Sequence, residues 1–436
     1  MLRWLFNLAY LLAIAVTLPW WLYKAATTGK YRRGMWAKLT GKPPQLNDSK
    51  PVAWFHAVSV GEALLLKPLL ARFRAESPDV QCVLSTTTNT GYDVATEKYP
   101  DLKVFYAPLD FTWSVRRVFA ALQPRLLVLV ELELWPNLLM EAARRDIPVA
   151  VVNARLSARS HRGYRRVLPL LRPALRAIHW WGAQTDAIAK RIASLTANIP
   201  TRIETTGSIK YDGAPSDRDN PKTQELRRLL AIAPGQTILV AGSTQGDEER
   251  ILFEAFMMLR HRCPGLRLVL VPRHPERFEA VASMLESSGE PFGRRSQLSA
   301  DQTAVTPIIL VDTVGELAAV WGLANLGYVG GSMACGRGGQ SMIEPAGYGV
   351  PVCFGPETWN FKETVDKLLE ADAAVRVENP GELFTVLAAW LDNPAAAQRV
   401  GDRARRFIAA QRGAVSASSR ALIGLLDSRW ARRRSA

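Results

Sequence analysis

The chain has 436 residues, more than one hydrophobic core usually serves, and this length favours two or three domains. Hydrophobic residues make up 48% and charged residues 22% of the sequence, a balance that excludes an intrinsically disordered protein. The formal net charge of +15 predicts an acidic partner, either nucleic acid or an anionic membrane.

The first predicted element is an apolar segment at the amino terminus. Residues 4–23 read WLFNLAYLLAIAVTLPWWLY, without a charge and about as long as a helix that crosses a bilayer core. The segment ends in aromatic residues and has no small-residue cleavage site, so we predict an uncleaved membrane anchor over residues 1–30. Basic residues follow it, which places the remaining chain on the cytoplasmic side of the membrane. A helix lying on the membrane is the alternative, favoured by Asn7 and Pro19.

Residues 31–206 alternate short apolar runs with helical stretches, a pattern typical of a doubly wound parallel sheet. The predicted strands cover residues 52–56, 80–85, 103–106, 126–132 and 149–152. The first strand is followed by Gly61 and Glu62, where a helix begins. A carboxylate in the first turn of a helix is stabilised by the helix dipole, which is a structural explanation for Glu62. Its position at the carboxyl end of a strand favours a catalytic role instead.

Two further carboxylates, Glu131 and Glu133, end the strand predicted over residues 126–132. Strand alternation would put both side chains on the same side of the sheet. A buried carboxylate needs a partner, so they should face a cleft or an arginine, and a helix cap or a salt bridge is as plausible as a function.

Residues 153–176 contain seven arginines and no acid. Such a run is usually a solvated face, but here leucines and Tyr164 accompany the arginines. The run can therefore lie against a membrane or hold phosphates. Nucleic acid is the rival partner, and the apolar amino terminus favours lipid phosphate over it.

The polar residues 207–222 form the clearest linker signal, and the strand and helix pattern restarts over residues 223–412. The remaining residues, 413–436, are predicted to form a closing helix with a basic tail. Two Rossmann-like domains facing each other across a ligand-binding cleft are the expected architecture. The strands predicted for the second domain cover residues 237–241, 266–271, 308–311, 326–329 and 350–354.

Glycines and basic groups follow consecutive predicted strands of the second domain: Gly242, then Arg273 and His274, then Gly315, then Gly330. Taken singly, a glycine after a strand is more often a turn. Four such strand ends favour a phosphate-bearing ligand, because free amide groups and helix dipoles attract anions. No GxGxxG or GxxxxGK[ST] motif stands between a strand and a helix, so a nucleotide-activated donor is favoured over nicotinamide or P-loop chemistry.

A helix is predicted over residues 339–348, with Glu344 one turn in. A carboxylate there can accept hydrogen bonds from both hydroxyls of a ribose, although the helix dipole alone would also favour it. The four cysteines are widely spaced and no HxxH or HExxH pattern occurs, so we predict neither a metal nor another cofactor.

The chain resembles the 3-deoxy-D-manno-octulosonic acid (Kdo) transferases of lipid A assembly. The resemblance rests on motifs in the family's order: SVGE, ELELWPN, NARLSARS, TGSIKYD, AGSTQGDEE, LVPRHPERF, DTVGEL, GGS and IEPAGYGVPVCFGPETWNF. It implies a GT-B fold with two Rossmann-like domains and an inverting, metal-independent transfer. CMP-Kdo would be the donor co-substrate, and the acceptor would be an anionic, acylated glucosamine disaccharide, lipid IVA. No nucleic acid partner is implied.

The resemblance also implies roles for individual residues. Glu62 matches the general base, and Glu131 and Lys210 match residues that support the transition state. The residues that match CMP contacts are Arg273, His274, Val314, Gly315, Glu316, Ser341, Met342, Ile343 and Glu344. Gln340 and Ser341 stand where the family usually has His-Asn, so the fine detail of the donor pocket is expected to differ.

Two alternatives stay open. One is a membrane-associated GT-B transferase that uses a different nucleotide sugar, for which the fold arguments hold equally. The other is a non-catalytic scaffold that binds anionic lipid or nucleic acid through its arginines. The joint presence of Glu62, Glu131 and Lys210 argues against the scaffold.

Overall fold

The structure is a computed structural model that describes residues 2–28, 33–46, 50–299, 303, 305–333 and 336–434. The predicted domain limits at residues 1, 30, 31 and 436, and Cys335, lie outside the described residues. The chain forms two compact units. The first runs to Gly213 and resumes at Gln411, and the second covers Ala214–Ala410.

The first unit is built on a parallel sheet of seven strands in the order β3-β2-β1-β4-β5-β6-β7. Its central strands are continuous apolar runs because helices cover both faces of the sheet, and every residue of β1 and β4 is buried. The strands are β1 (Val52–His56), β2 (Gln81–Thr86), β3 (Lys103–Tyr106), β4 (Leu126–Val130), β5 (Val149–Ala154), β6 (Ile178–Ala183) and β7 (Arg202–Thr205).

The helices of the first unit begin mostly at side chains that cap them. Ser59, Thr88, Ser157 and Thr185 each accept a hydrogen bond from a backbone N–H three residues on, which satisfies a free donor of the first turn. The helices up to the end of this unit's first segment are α1 (Leu2–Thr28), α2 (Met35–Thr40), α3 (Val60–Leu65), α4 (Lys67–Glu76), α5 (Asn89–Lys98), α6 (Thr112–Leu122), α7 (Pro136–Arg144), α8 (Ala158–Arg166), α9 (Leu168–Leu175), α10 (Asp186–Leu195) and α11 (Ile209–Asp212).

The second unit repeats the architecture with a parallel sheet in the order β10-β11-β9-β8-β12-β13-β14. The strands are β8 (Thr237–Thr244), β9 (Leu266–Pro272), β10 (Phe292–Arg294), β11 (Ile308–Leu310), β12 (Leu326–Val329), β13 (Val352–Phe354) and β14 (Val375–Arg376). The helices are α12 (Pro221–Leu229), α13 (Glu248–Leu259), α14 (Phe278–Ser288), α15 (Leu317–Trp321), α16 (Ile343–Gly347), α17 (Lys362–Glu370), α18 (Pro380–Asp392) and α19 (Pro394–Ala410), with 3-10 turns at Pro275–Arg277, Arg295–Gln297 and Trp359–Phe361.

The last helix, α20 (Ala414–Arg434), packs back onto the first unit. Leu422 and Leu426 are buried in the same core as Phe73 of α4. The Asp212 carboxylate accepts hydrogen bonds from backbone N–H groups just before and within α20, at Gly413 (2.9 Å) and Val415 (3.3 Å). The chain therefore needs its carboxyl end to complete its amino-terminal core.

Among the described residues, one helix is long and apolar enough to cross a membrane. The segment Leu2–Trp20 of α1 has a mean hydropathy of 1.5 and lies almost entirely at the surface. Its length and composition agree with the predicted anchor.

Four predicted elements are longer than those observed, among them the strands expected over residues 308–311 and 350–354, which form as β11 and β13. In the other two, left-handed residues shorten the element. The strand expected over residues 126–132 ends at Val130, because Glu131 takes a left-handed backbone conformation with φ 57°. The helix expected over residues 339–348 forms only as α16, because Gly338 and Gly339 have φ of 76° and 78°, which a helix cannot accept.

Candidate functional site

The order of strands in the first sheet reverses between β1 and β4. The chain adds β2 and β3 on one side of β1 and then places β4 on the other side. Ligands of open α/β sheets bind at such a reversal, outside the carboxyl ends of the two strands. The segment after β1 carries Glu62 and the residue after β4 is Glu131, so both predicted catalytic carboxylates stand at this point.

Glu62 is held by the loop between β1 and α3. Its Oε2 accepts a hydrogen bond from the backbone N–H of Val58 at 2.8 Å, and its Oε1 accepts one from the hydroxyl of Ser59 at 3.0 Å. The Ser59 oxygen in turn accepts the backbone N–H of Glu62 at 3.3 Å. This reciprocal arrangement resembles a capping box, so the bonds that start α3 also fix the carboxylate in one orientation.

Burial raises the pKa of Glu62 to about 7, against the helix dipole and against the hydrogen bonds from Val58 and Ser59, which lower it. The nearby carboxylates of Glu133 and Glu131 raise it further. The group is therefore basic enough to accept a proton near neutral pH. The helix dipole alone would lower this pKa, and the packing of the first unit outweighs it.

Glu131 and Glu133 lie beside Glu62, but not for the reason that strand alternation suggested. Glu131 follows the end of β4, and its backbone N–H bonds to the carbonyl of Val152 in β5 at 3.0 Å. Glu133 accepts a hydrogen bond from the Trp135 indole at 3.1 Å, and burial raises its pKa. The left-handed backbone of Glu131 thus turns the chain out of the sheet and keeps both carboxylates at its edge.

Lys210 reaches the same edge through a long-range contact. It is exposed on α11, which follows the edge strand β7. The side-chain oxygen of Asn153 accepts hydrogen bonds from the Ser208 hydroxyl at 3.2 Å and from the Ile209 backbone N–H at 3.1 Å. Asn153 lies near the end of β5, next to β4, so it brings the turn that carries Lys210 back towards the strand reversal.

Asn153 is the positioning residue that sequence reasoning missed. It is fully buried and has φ 54°, a conformation that asparagine tolerates better than most residues. Asn153 is the first residue of the NARLSARS motif, but the seven arginines over residues 153–176 indicated a role in binding phosphate or membrane and not a structural contact.

A cavity of about 530 Å³ lies beside the loop that holds Glu62. Val58 lines it, together with His56 and Lys38 among polar groups and with Trp54 and Trp135 among apolar ones. Burial lowers the pKa of His56 to about 4, so its ring is neutral near pH 7. A mostly apolar cavity with a few polar groups is typical of a site for an amphipathic ligand.

In the second unit, Arg273 and His274 are exposed immediately after β9. The predicted loop from Val314 to Glu316 follows β11, the neighbour of β9, so the two sets lie at adjacent strand ends. Val314 is 79% exposed and Gly315 has φ 90°. The Glu316 carboxylate is already bound, since it accepts from Arg295 at 2.9 Å and from the Thr313 hydroxyl.

The predicted donor residues around α16 differ in what they can offer. Met342 and Ile343 are buried, so only their backbone can face a ligand. Ser341 is partly exposed, and its hydroxyl accepts the Ile343 N–H at 3.4 Å. Within the described part of the chain, the half-buried Glu344 carboxylate has no hydrogen-bond or ion-pair partner, and burial raises its pKa. That carboxylate is available to accept hydroxyl groups.

The expectation of a free anion site at Gly330 to Ser332 is wrong. The buried carboxylate of Glu248 accepts hydrogen bonds from the backbone N–H groups of Gly331, Ser332 and Met333 at 2.6 to 2.9 Å. A protein carboxylate therefore occupies the place that a phosphate was expected to take. Glu248 lies in the AGSTQGDEE motif, and the loop it binds is the GGS motif at Gly330 to Ser332. Because the two are far apart in the sequence, no local pattern indicated that they would be in contact.

No group of three or more His, Cys, Asp or Glu side chains in the described part of the chain is arranged to hold a metal ion. The independence from metal stays a prediction.

The fold places the chain among GT-B-like proteins. It matches a UDP-GlcNAc 2-epimerase from Neisseria meningitidis over 87% of this chain and 100% of that one, with TM-score 0.55 and 12% identity. It matches a MurG from Acinetobacter baumannii over 86% and 99%, with TM-score 0.52 and 15% identity. Two parallel seven-stranded sheets agree with this class.

Sequence relatives narrow the class to a family. Residues 32–213 match the family model described as 3-deoxy-D-manno-octulosonic-acid transferase (kdotransferase). The chain is 33% identical to the 3-deoxy-D-manno-octulosonic acid transferase of Haemophilus influenzae over 88% of both chains. It is 34% identical to that of Bordetella pertussis over 83% of this chain and 84% of the relative. The chain belongs to the Kdo transferase family and is a glycosyltransferase.

Proposed function

We propose that the protein transfers Kdo from CMP-Kdo to lipid IVA at the cytoplasmic face of the inner membrane, with inversion and without a metal. The observation that carries the proposal is Glu62, a carboxylate fixed by two hydrogen bonds at the strand reversal, whose pKa is raised to about 7. The family membership supports Kdo as the transferred sugar.

In the proposed reaction, Glu62 accepts the proton of an acceptor hydroxyl while the hydroxyl oxygen attacks the anomeric carbon of Kdo. The bond between that carbon and the phosphate oxygen of CMP breaks, and the electron pair leaves with CMP. A single displacement of this kind inverts the anomeric configuration. Lys210 supplies positive charge for the phosphate that leaves, and Glu131 helps to keep Glu62 basic.

The donor is assigned to the second unit. Arg273 and His274 would neutralise the phosphate of CMP, and the exposed backbone at Val314 and Gly315 would border the nucleotide. Glu344 would accept the ribose hydroxyls, since its carboxylate has no partner among the described residues. Glu316 would keep the loop in place through Arg295.

The acceptor is assigned to the first unit. The cavity beside Val58 has room for part of an acylated sugar. Helix α8 is exposed, and its arginines, such as Arg159, Arg162 and Arg165, have no acidic partner in the described part of the chain. An acceptor that carries phosphates and acyl chains suits this combination of apolar cavity and cationic helix.

The deciding experiment is a transfer assay with purified protein, CMP-Kdo and tetraacyl-disaccharide-1,4′-bisphosphate, with and without EDTA. We expect a Kdo-lipid product in both conditions. Loss of product with EDTA would contradict the metal-independent reaction alone. No product in either condition would contradict the proposed substrates.

A transferase that uses a UDP-sugar is the second candidate. The GT-B-like neighbours described above share only the fold with this chain, and the fold alone does not determine the nucleotide of the donor. Thermal unfolding in the presence of CMP or UDP separates the two. We expect CMP to raise the unfolding temperature and UDP to leave it unchanged. Stabilisation by UDP alone would favour the second candidate.

A further inference from the structure

Helix α1 is attached to the first unit along one polar face. Arg3, Asn7 and Tyr10 are spaced four and three residues apart, which places them on the same side of a helix. Arg3 donates to the Glu141 carboxylate at 2.5 Å, Asn7 donates to the Thr112 hydroxyl at 2.8 Å, and Tyr10 donates to the Asp110 carboxylate at 2.9 Å.

The partners of this face are buried polar groups. Asn7 itself is 3% exposed, and its side-chain oxygen also accepts from the Thr112 backbone N–H and the Asn137 amide, both at 3.2 Å. Asp110 and Glu141 are buried as well. Buried polar groups are costly when unpaired, so the first three turns of α1 are a fixed part of the first unit.

The opposite face of α1 is apolar and exposed. Trp4, Leu8, Leu12 and Val16 form a stripe at intervals of four residues, and Val16 is 80% exposed. A helix on the surface of a soluble protein has the reverse arrangement, with its apolar face inward. An apolar stripe of this length faces a partner, and its composition suits the acyl region of a bilayer.

The other end of α1 is tied to the same unit. The next described residue after Thr28 is Arg33, which pairs with Asp93 at 2.7 Å. Helix α2 follows at once, and the Lys38 carbonyl accepts the Leu109 N–H at 2.8 Å. Five residue steps reach at most about 18 Å, whereas a bilayer core is about 30 Å thick. The two ends of α1 therefore cannot lie on opposite sides of a membrane.

We propose that α1 is a monotopic membrane helix, which lies in one leaflet of an anionic bilayer and does not cross it. Its polar face stays on the first unit and its apolar stripe enters the acyl region. The proposal differs from the crossing anchor that length and hydropathy predict, and it does not depend on which sugar the protein transfers.

The charge near α1 identifies the leaflet as anionic. Arg3, Arg116, Arg144 and Arg145 all lie within 4 Å of the single Glu141 carboxylate, so positive charge is in excess there. Arg116 and Arg144 are half exposed. Basic side chains beside an inserted helix are attracted to anionic headgroups.

The topology is tested on the full chain, with one epitope tag on a flexible linker at the amino terminus and another at the carboxyl terminus, after α20. A protease is added to spheroplasts and to inverted membrane vesicles. We expect both tags to be cut in inverted vesicles and neither in spheroplasts, because both termini belong to the same unit. An amino-terminal tag cut in spheroplasts while the carboxyl-terminal tag is protected would mean that α1 crosses the membrane and would overturn the proposal. Cleavage of both tags after detergent confirms that each can be cut.

The apolar stripe is tested with a matched pair of variants. Val16→Asp places a charge on the stripe, and Val305→Asp places one at a position of the second unit that is 79% exposed. Flotation with vesicles of phosphatidylethanolamine and phosphatidylglycerol measures binding. We expect at least a tenfold loss of vesicle-bound protein for Val16→Asp and no change for Val305→Asp. Equal binding of both variants would contradict insertion of the stripe, whatever the transfer assay gives.

Discussion

At the scale of single residues, the balance of forces on Glu62 determines the proposed chemistry. Two hydrogen bonds to its oxygens favour the charged form, while burial and the carboxylates of Glu133 and Glu131 favour the neutral form. The second set of effects is larger, so the pKa of Glu62 is raised. Sequence could place Glu62 at the start of a helix and, through the family resemblance, name it a base. It could not give the size of the pKa shift, because burial depends on packing from the whole unit.

The first prediction concerns Glu62 itself. Glu62→Gln keeps the shape of the side chain but removes the base, so we expect kcat to fall by roughly 10²–10⁴-fold. CMP should still protect the protein against heat, because the donor residues lie in the second unit. Glu97→Gln, at an exposed position of α5, is the matched control and should leave kcat unchanged. Transfer by Glu62→Gln near the wild-type rate would remove Glu62 from the role of base.

The second prediction concerns pH. A base must be unprotonated, so kcat/KM should fall as pH drops through about 7, the pKa of Glu62. Glu133→Gln removes a negative charge, lowers the pKa of Glu62 and should move this acid limb to lower pH. Ser59→Ala removes a hydrogen bond to the charged form and should move it to higher pH. Limbs that coincide in all three proteins would show that another group controls the profile.

At the scale of elements, the sequence predicted the central strands better than the edges. The edge strands β7, β10 and β14 were missed, because each is short and half exposed and lacks a buried apolar run. The interior strand β6 was missed for another reason. It follows the arginine-rich helices directly and includes His179, so its two buried tryptophans did not stand out as a strand.

Long-range contacts between elements were also beyond the sequence. Asn153 binds a turn 55 residues further on, and Glu248 binds a loop 83 residues further on. Neither contact leaves a periodic pattern. Yet the first ties the turn just before Lys210 to the end of β5, and the second occupies the backbone N–H groups of Gly331, Ser332 and Met333, where an anion was expected to bind.

The third prediction separates two roles of Asn153. Asn153→Ala removes the acceptor for Ser208 and Ile209, and also places alanine at φ 54°, which costs about 1–2 kcal/mol. Asn153→Gly removes the same acceptor without that strain. We expect both variants to lower kcat with little change in KM for CMP-Kdo, and Asn153→Ala to lower the free energy of unfolding further. Full kcat in Asn153→Gly would contradict a positioning role through Lys210.

The fourth prediction concerns the loop at Gly331. Glu248→Ala leaves three buried backbone N–H groups without an acceptor, and such groups cost about 1–3 kcal/mol each. We expect the free energy of unfolding of the second unit to fall by at least about 3 kcal/mol. Glu254→Gln, on the exposed side of the same helix, is the control. It should lower the free energy of unfolding by less than about 1 kcal/mol. Denaturant titration followed by hydrogen exchange in each unit measures the loss of unfolding free energy in both variants. Equal losses would contradict the role of Glu248 as the acceptor that holds the loop at Gly331.

At the scale of the whole molecule, the last helix, α20, packs into the core of the first unit, with which the chain also begins. The fifth prediction tests whether α20 stabilises that unit alone. Leu422 of α20 and Leu387 of α18 are both fully buried, the first in the core of the first unit and the second in the core of the other. Replacing either with alanine removes the same atoms and should cost about 2–5 kcal/mol.

The two losses should appear in different units. Hydrogen exchange resolved by segment should speed up over β1, β4 and α4 in Leu422→Ala, and over β8, β9 and α13 in Leu387→Ala. CMP should still protect the second unit of Leu422→Ala, because the assigned donor residues lie there. Faster exchange over β8 and β9 in Leu422→Ala would instead mean that α20 stabilises both units. The carboxyl-terminal helix α20 would then contribute to the stability of the whole protein and not only to that of the first unit.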